Sequence, residues 1–110
     1  MINEYLYIFG YEAPSEKASN RDVGTDFEST GMVRILSLTE DSALEWGREL
    51  SERFVASLYA NESVSWRSQG FASWIEQSPD EHIRSQWSSI PVVQCGEIPD
   101  TDTLSAIGPS

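Results

Sequence analysis

One histidine, His82, and one cysteine, Cys95, are the only imidazole and the only thiol in the chain. With Asp80 as orienter they could form a thiolate–imidazolium pair. Their settings argue against it. His82 falls in the first turn of a short helix, where solvent exposure is expected. Cys95 ends the apolar run from Val92, where an inert, buried thiol is the usual finding. A zinc site would have to take its remaining ligands from carboxylates. The sequence contains no phosphate-binding glycine loop, no H-E-x-x-H, no G-x-S-x-G and no paired C-x-x-C. No catalytic residue, metal or cofactor is therefore expected.

Carboxylates are the abundant reactive groups. Asp22, Asp26 and Glu28 invite a calcium reading, but their spacing departs from the EF-hand loop. A pair of carboxylates working as acid and base needs one member in an apolar setting that raises its pKa. Glu76, beside Trp74 and Ile75, comes nearest to such a setting. The other candidate for chemistry is Arg34, which interrupts the apolar run Met32 to Leu38. The expectation is that it snorkels at the sheet edge with its head in water. Buried and paired instead, it would be the best anchor for an anionic group, through its planar fork of donors. Tyr7, Tyr11 and Glu76 would line the same pocket.

Charge and tryptophan content point elsewhere. Eighteen acidic residues against seven basic ones give a net charge of −11. Such a surface repels phosphate backbones and anionic membrane faces, and it speeds encounter with a basic protein. Acidity that serves only solubility is the plain alternative. The four tryptophans, Trp46, Trp66, Trp74 and Trp87, are many for 110 residues. Trp is enriched at binding hot spots and is rarely buried completely. Trp66 and Trp74 stand among polar neighbours and are the pair expected at the surface, with Arg67 able to stack on an indole face.

These residues need a frame. Tyr5 to Tyr11, YLYIFGY, reads as a strand with Tyr5, Tyr7, Phe9 and Tyr11 on one face and Leu6 and Ile8 on the other. A strand apolar on both sides belongs in the middle of a sheet. The polar stretch 12–31 reads as a long loop, with a short helix around Ser15 to Arg21 or a segment that orders on binding as alternatives. Met32 to Leu38 is the second strand. In Thr39 to Ala60, Ala43, Trp46, Gly47, Leu50, Phe54 and Leu58 recur at helical spacing behind a Thr39 cap. Ser65–Arg67 and Phe71–Glu76 read as short strands around a glycine turn. Ser78-Pro79-Asp80-Glu81 reads as a capping box opening a short helix with Ile83 and Trp87 on one face. Val92 to Cys95 is a last strand, and residues 99–110 read as a mobile or loosely docked tail.

The sum is one α+β domain over residues 1–98. Its sheet is mainly antiparallel, of four to five strands, with one long helix packed on a face and a second short helix. No leader opens the chain and no apolar run spans a membrane, so a soluble cytoplasmic protein is expected. The function expected is a small acidic interaction module that binds, and neutralises, a basic protein in the manner of an antitoxin or immunity protein. Trp66 and Trp74 would anchor it, Arg67 would assist, and Asp22, Asp26 and Glu28 would steer the encounter. Nucleic acid is not an expected partner, and exposed tryptophans would make a homodimer natural. The alternative is a small-molecule binder or small enzyme with a pocket between the sheet and the 12–31 stretch. Mimicry of nucleic acid by rows of carboxylates ranks last.

Overall fold

A computed structural model describes residues 1–24, 28–59 and 65–108. The chain is α+β. Its four strands are β1 (Asn3–Tyr11), β2 (Ser29–Ser37), β3 (Ser73–Glu76) and β4 (Val92–Gln94), in the order β3-β1-β2-β4. β1 pairs antiparallel with both β2 and β3, while β4 runs parallel to β2. The sheet is thus mixed but mostly antiparallel. Among the described residues four α-helices accompany it: α1 (Pro14–Val23), α2 (Glu40–Leu58), α3 (Glu81–Ser85) and α4 (Thr101–Ser105).

Strand alternation sorts the apolar side chains into two layers. Tyr7, Phe9, Tyr11, Val33, Ile35 and Val93 face α2 and form the main core with Leu50, Phe54 and Val55. Leu6 and Ile8 face the other way, where Ile90, Ile83 and Trp87 cover them. That is why YLYIFGY is apolar on both faces. Its aromatics interlock: the rings of Tyr7 and Phe9 stack at 5.6 Å, and Phe54 meets Phe9 and Tyr11 edge-on.

The helix α2 starts where expected, with Thr39 Oγ1 accepting from the Ser42 N–H at 3.1 Å. Its stripe settles on β1 at a close approach. A Cβ on Gly47 would lie 2.4 Å from Tyr7 Cδ1, so only glycine lets the helix sit this near the ring. One turn on, the buried Ser51 donates to the Gly47 carbonyl at 2.9 Å, which spends its single proton. The Tyr7 hydroxyl must therefore donate to Ser51 Oγ, at 2.7 Å.

Several expectations need correction. The 12–31 stretch is not one long loop. Pro14 at N1, with Glu16 Oε1 accepting from the Ala13 N–H at 2.9 Å, starts α1, and Gly24 at φ 69° ends it. Ser65–Arg67 forms no strand: Trp66 turns inward and Arg67–Gln69 is a 3-10 turn. The cap of α3 is Asp80, whose Oδ1 accepts from the Ile83 N–H at 2.8 Å, rather than Ser78 two residues earlier. Residues 99–108 are not a free tail. Asp100 caps α4, Leu104 and Ile107 join the main core, and the Ile107 carbonyl accepts from the Met32 N–H at 3.0 Å. Cys95 is exposed and lies just past β4. Among the described residues no helix is long and apolar enough to cross a membrane.

Candidate functional site

Position along β1 decides which candidates can meet. The partner of Leu6 in β2 is Arg34 and in β3 is Glu76, and the partner of Ile8 in β3 is Trp74. Directly opposed residues share a face, so Arg34, Trp74 and Glu76 stand on the side of the sheet away from α2. Tyr7 and Tyr11 stand on the other side. The pocket expected from Arg34, Tyr7, Tyr11 and Glu76 is therefore split by the sheet itself.

Arg34 is not the snorkelling side chain first expected. Its Nε and Nη2 both donate to the Ile90 carbonyl, at 3.1 and 2.9 Å. Its Nη1 lies 3.6 Å from Glu4 Oε1, and its guanidinium rests over the Trp87 ring at 5.2 Å. A half-buried fork with these partners clamps the Trp87–Ile90 segment onto the sheet. It has little left to offer an incoming anion. The signal was present in the sequence as an arginine among apolar strand residues, but the partners come from far along the chain.

Trp66 and Trp74 take opposite roles. Trp66 is 3% exposed, and its Nε1–H donates to the Gly10 carbonyl at 2.8 Å. It is a core residue and not a surface anchor. Its polar neighbours Ser65 and Arg67 are exposed because the chain turns there instead of running as a strand. Arg67 does not stack on an indole; it lies 3.6 Å from Glu49 Oε2, and its backbone N–H donates to Glu52 Oε2 at 2.9 Å. Trp74 is 41% exposed on the edge strand β3. Its Nε1–H donates to Glu76 Oε2 at 3.0 Å, and Glu76 Oε1 accepts from the Ser78 N–H at 3.1 Å. Glu76 thus fixes the orientation of a large exposed ring.

Among the steering carboxylates, Asp22 is exposed on the last turn of α1. Glu28 is exposed ahead of β2, with its carboxylate lying across Gly10. Asp26 lies outside the described residues. Among the described residues, four of the seven basic side chains, Arg34, Arg48, Arg53 and Arg67, are paired with carboxylates. That leaves most of the acidic excess without an internal counter-charge.

A cavity of about 430 Å³ does open where α1 meets the end of the sheet, lined by Tyr11, Glu16, Ser29, Phe54, Ser57 and Leu58 among others. Of the four residues expected to share a pocket, only Tyr11 reaches it. Burial pushes the Tyr11 hydroxyl above its ordinary pKa. Glu16 already accepts from the Ala13 N–H and from Ser29 Oγ, each at 2.9 Å.

His82 and Cys95 are not a pair. His82 Nε2 lies 2.9 Å from Gln86 Nε2 on α3, whereas the Cys95 thiol lies 3.6 Å from the Ser42 carbonyl on α2, across the sheet. Among the described residues, no three of His, Cys, Asp or Glu converge as a metal-binding group would. One indole was underrated: Trp46 Nε1 is buried on α2 with no partner among the described residues. Comparisons with protein-family models, with curated proteins and with solved structures found no match to this chain.

Proposed function

We propose that this chain is an interaction protein that binds a basic partner protein and masks it, in the manner of an antitoxin or immunity protein. The observation that carries the reading is Trp74. A tryptophan this exposed, held in one orientation by Glu76 and set in a field of unneutralised carboxylates, has the chemistry of an interface anchor. The charge brings a basic surface in quickly, and the indole supplies the apolar contact that keeps it. The exposed thiol of Cys95 supports a reducing compartment such as the cytoplasm as the place of action.

The test is affinity capture from cells that produce the protein, followed by titration of the purified partner at low and high salt. A stoichiometric basic protein whose affinity falls with salt is expected. Trp74→Ala should weaken it by about 2 kcal/mol or more, the usual hot-spot range. A partner whose binding ignores both salt and Trp74→Ala would contradict the reading.

The cavity at Tyr11 favours a second reading, a small-molecule binder. It would use Tyr11 and Ser29, without Arg34, Tyr7 or Glu76. A thermal-shift screen of metabolites tests it. A hit that Tyr11→Phe or Ser29→Ala abolishes would support it, and no hit across the screen would remove its basis.

A further inference from the structure

We infer that the outer edge of β3 is a strand-addition site for an extended basic segment of the partner, an inference that rests on the interaction reading above. The two edges of this sheet are treated differently. At the β4 edge, the outward N–H of Gln94 donates to Glu97 Oε1 at 3.2 Å, and the outward Gln94 carbonyl accepts from the Glu97 N–H at 2.9 Å. Gln94 is thus occupied by its own chain, while the outward groups of Val92 on the same edge have no backbone partner among the described residues. At the β3 edge no comparable contact occurs among the described residues.

The geometry of pairing identifies the free groups. The Gly10 N–H donates to the Ala72 carbonyl at 3.0 Å, in register with Ile8↔Trp74 and Leu6↔Glu76. In an antiparallel ladder, bonded and non-bonded pairs alternate. Ala72, Trp74 and Glu76 therefore turn their backbone groups toward β1, and Ser73 and Ile75 turn theirs outward. Among the described residues no backbone partner meets those outward groups. An exposed row of this kind is a template for another strand.

The flanks select the occupant. On the α2 side, Arg48 Nε lies 3.4 Å from Ser73 Oγ and Arg48 Nη1 is 2.7 Å from Glu45 Oε1, while Gln77 bonds to Glu40. On the opposite side stand Trp74 and Glu76. Four carboxylates, Glu40, Glu45, Glu49 and Glu76, stand against two arginines, Arg48 paired with Glu45 and Arg67 paired with Glu49, so the edge keeps an acidic excess. Lysine or arginine side chains of an added strand would meet Glu40 and Glu45 on one face and Glu76 and the Trp74 ring on the other. A second copy of this chain, with its own charge of −11, is opposed by the same field.

The probe is a capped heptapeptide, Val-Lys-Lys-Val-Lys-Lys-Val, which carries lysine on both faces of a strand, titrated into the isotopically labelled full chain at low salt and followed by amide NMR. Binding should move the Ser73 and Ile75 amides first. N-methylation of alternate peptide nitrogens keeps charge and removes the pairing donors, and it should weaken binding at least about tenfold. Ser73→Pro removes one outward N–H while sparing the ladder to β1, and should weaken binding similarly. If Ser73→Pro fails to fold, the methylated peptide still decides the question. Equal binding of methylated and plain peptides, both lost at high salt, would overturn strand addition while leaving the electrostatic interaction reading intact. No binding of either peptide would overturn the inference, with the captured partner still judging the broader reading. Dimerisation of the chain alone, abolished by Ser73→Pro, would assign the edge to a second copy and overturn the basic occupant.

Discussion

At the residue scale, two tryptophans eight positions apart divide the work. Trp66→Phe keeps a ring in the core but removes the only donor that the indole offers to the Gly10 carbonyl. Leaving such a buried acceptor unpaired costs about 1–3 kcal/mol, which urea unfolding should read, while affinity for a partner stays unchanged. Both were expected at the surface because both have polar neighbours, and composition alone cannot separate them. What separates them is conformation: a turn at Trp66 points the indole inward, whereas strand alternation at Trp74 points it out. Tyr7 makes a second prediction. Burial pushes its hydroxyl up to about 12 from 10.0. A raised folded-state pKa means the unfolded chain releases this proton first. Stability is then full below pH 10 and falls as pH rises toward 12, by on the order of 2 kcal/mol from this group. Alkaline unfolding should show that loss, and Tyr7→Phe should reduce it.

At the element scale, α2 was the most readable part of the chain: its Thr39 cap and the burial of Ala43, Gly47, Leu50 and Phe54 appear as the spacing predicts, while Trp46 and Leu58 are only partly buried and Ser51 and Val55 join the buried face. The smaller elements were harder for a physical reason. Five residues of α3 or of α4 span little more than one turn, too short for a period to show, so only caps and spaced apolar pairs mark them. The Leu104–Ile107 pair was such a mark, and it docks residues that otherwise look like a tail. Gly47 is the sharpest test of how α2 is seated. In an exposed helix interior, glycine to alanine gains about 1 kcal/mol. Here the added methyl would meet the Tyr7 ring at 2.4 Å, with Tyr7 itself held by Ser51. Overpacking of this kind costs about 1–3 kcal/mol, so Gly47→Ala should destabilise, against propensity, by urea or thermal unfolding. Stabilisation by that change would mean the helix sits further from the sheet.

At the scale of the whole molecule, the acidic excess and the α+β class could be read directly, because both depend on composition and local pattern. The arrangement that matters for function could not. The parallel placement of β4, the turn by which Glu97 engages Gln94, and the burial of Arg34 under Trp87 and Ile90 are long-range pairings or backbone geometry, invisible to periodicity. The register of β2 and β3 on β1 splits the residues first expected in one pocket across two faces, and among the described residues the outward backbone groups of Ser73 and Ile75 on β3 meet no backbone partner. The most direct test is residue-resolved hydrogen exchange of the chain with and without its captured partner. Slowed exchange at the Ser73 and Ile75 amides, with protection lost in Trp74→Ala, is the predicted result. Protection confined to the Tyr11 cavity, with β3 exchanging as in the free chain, would contradict the account.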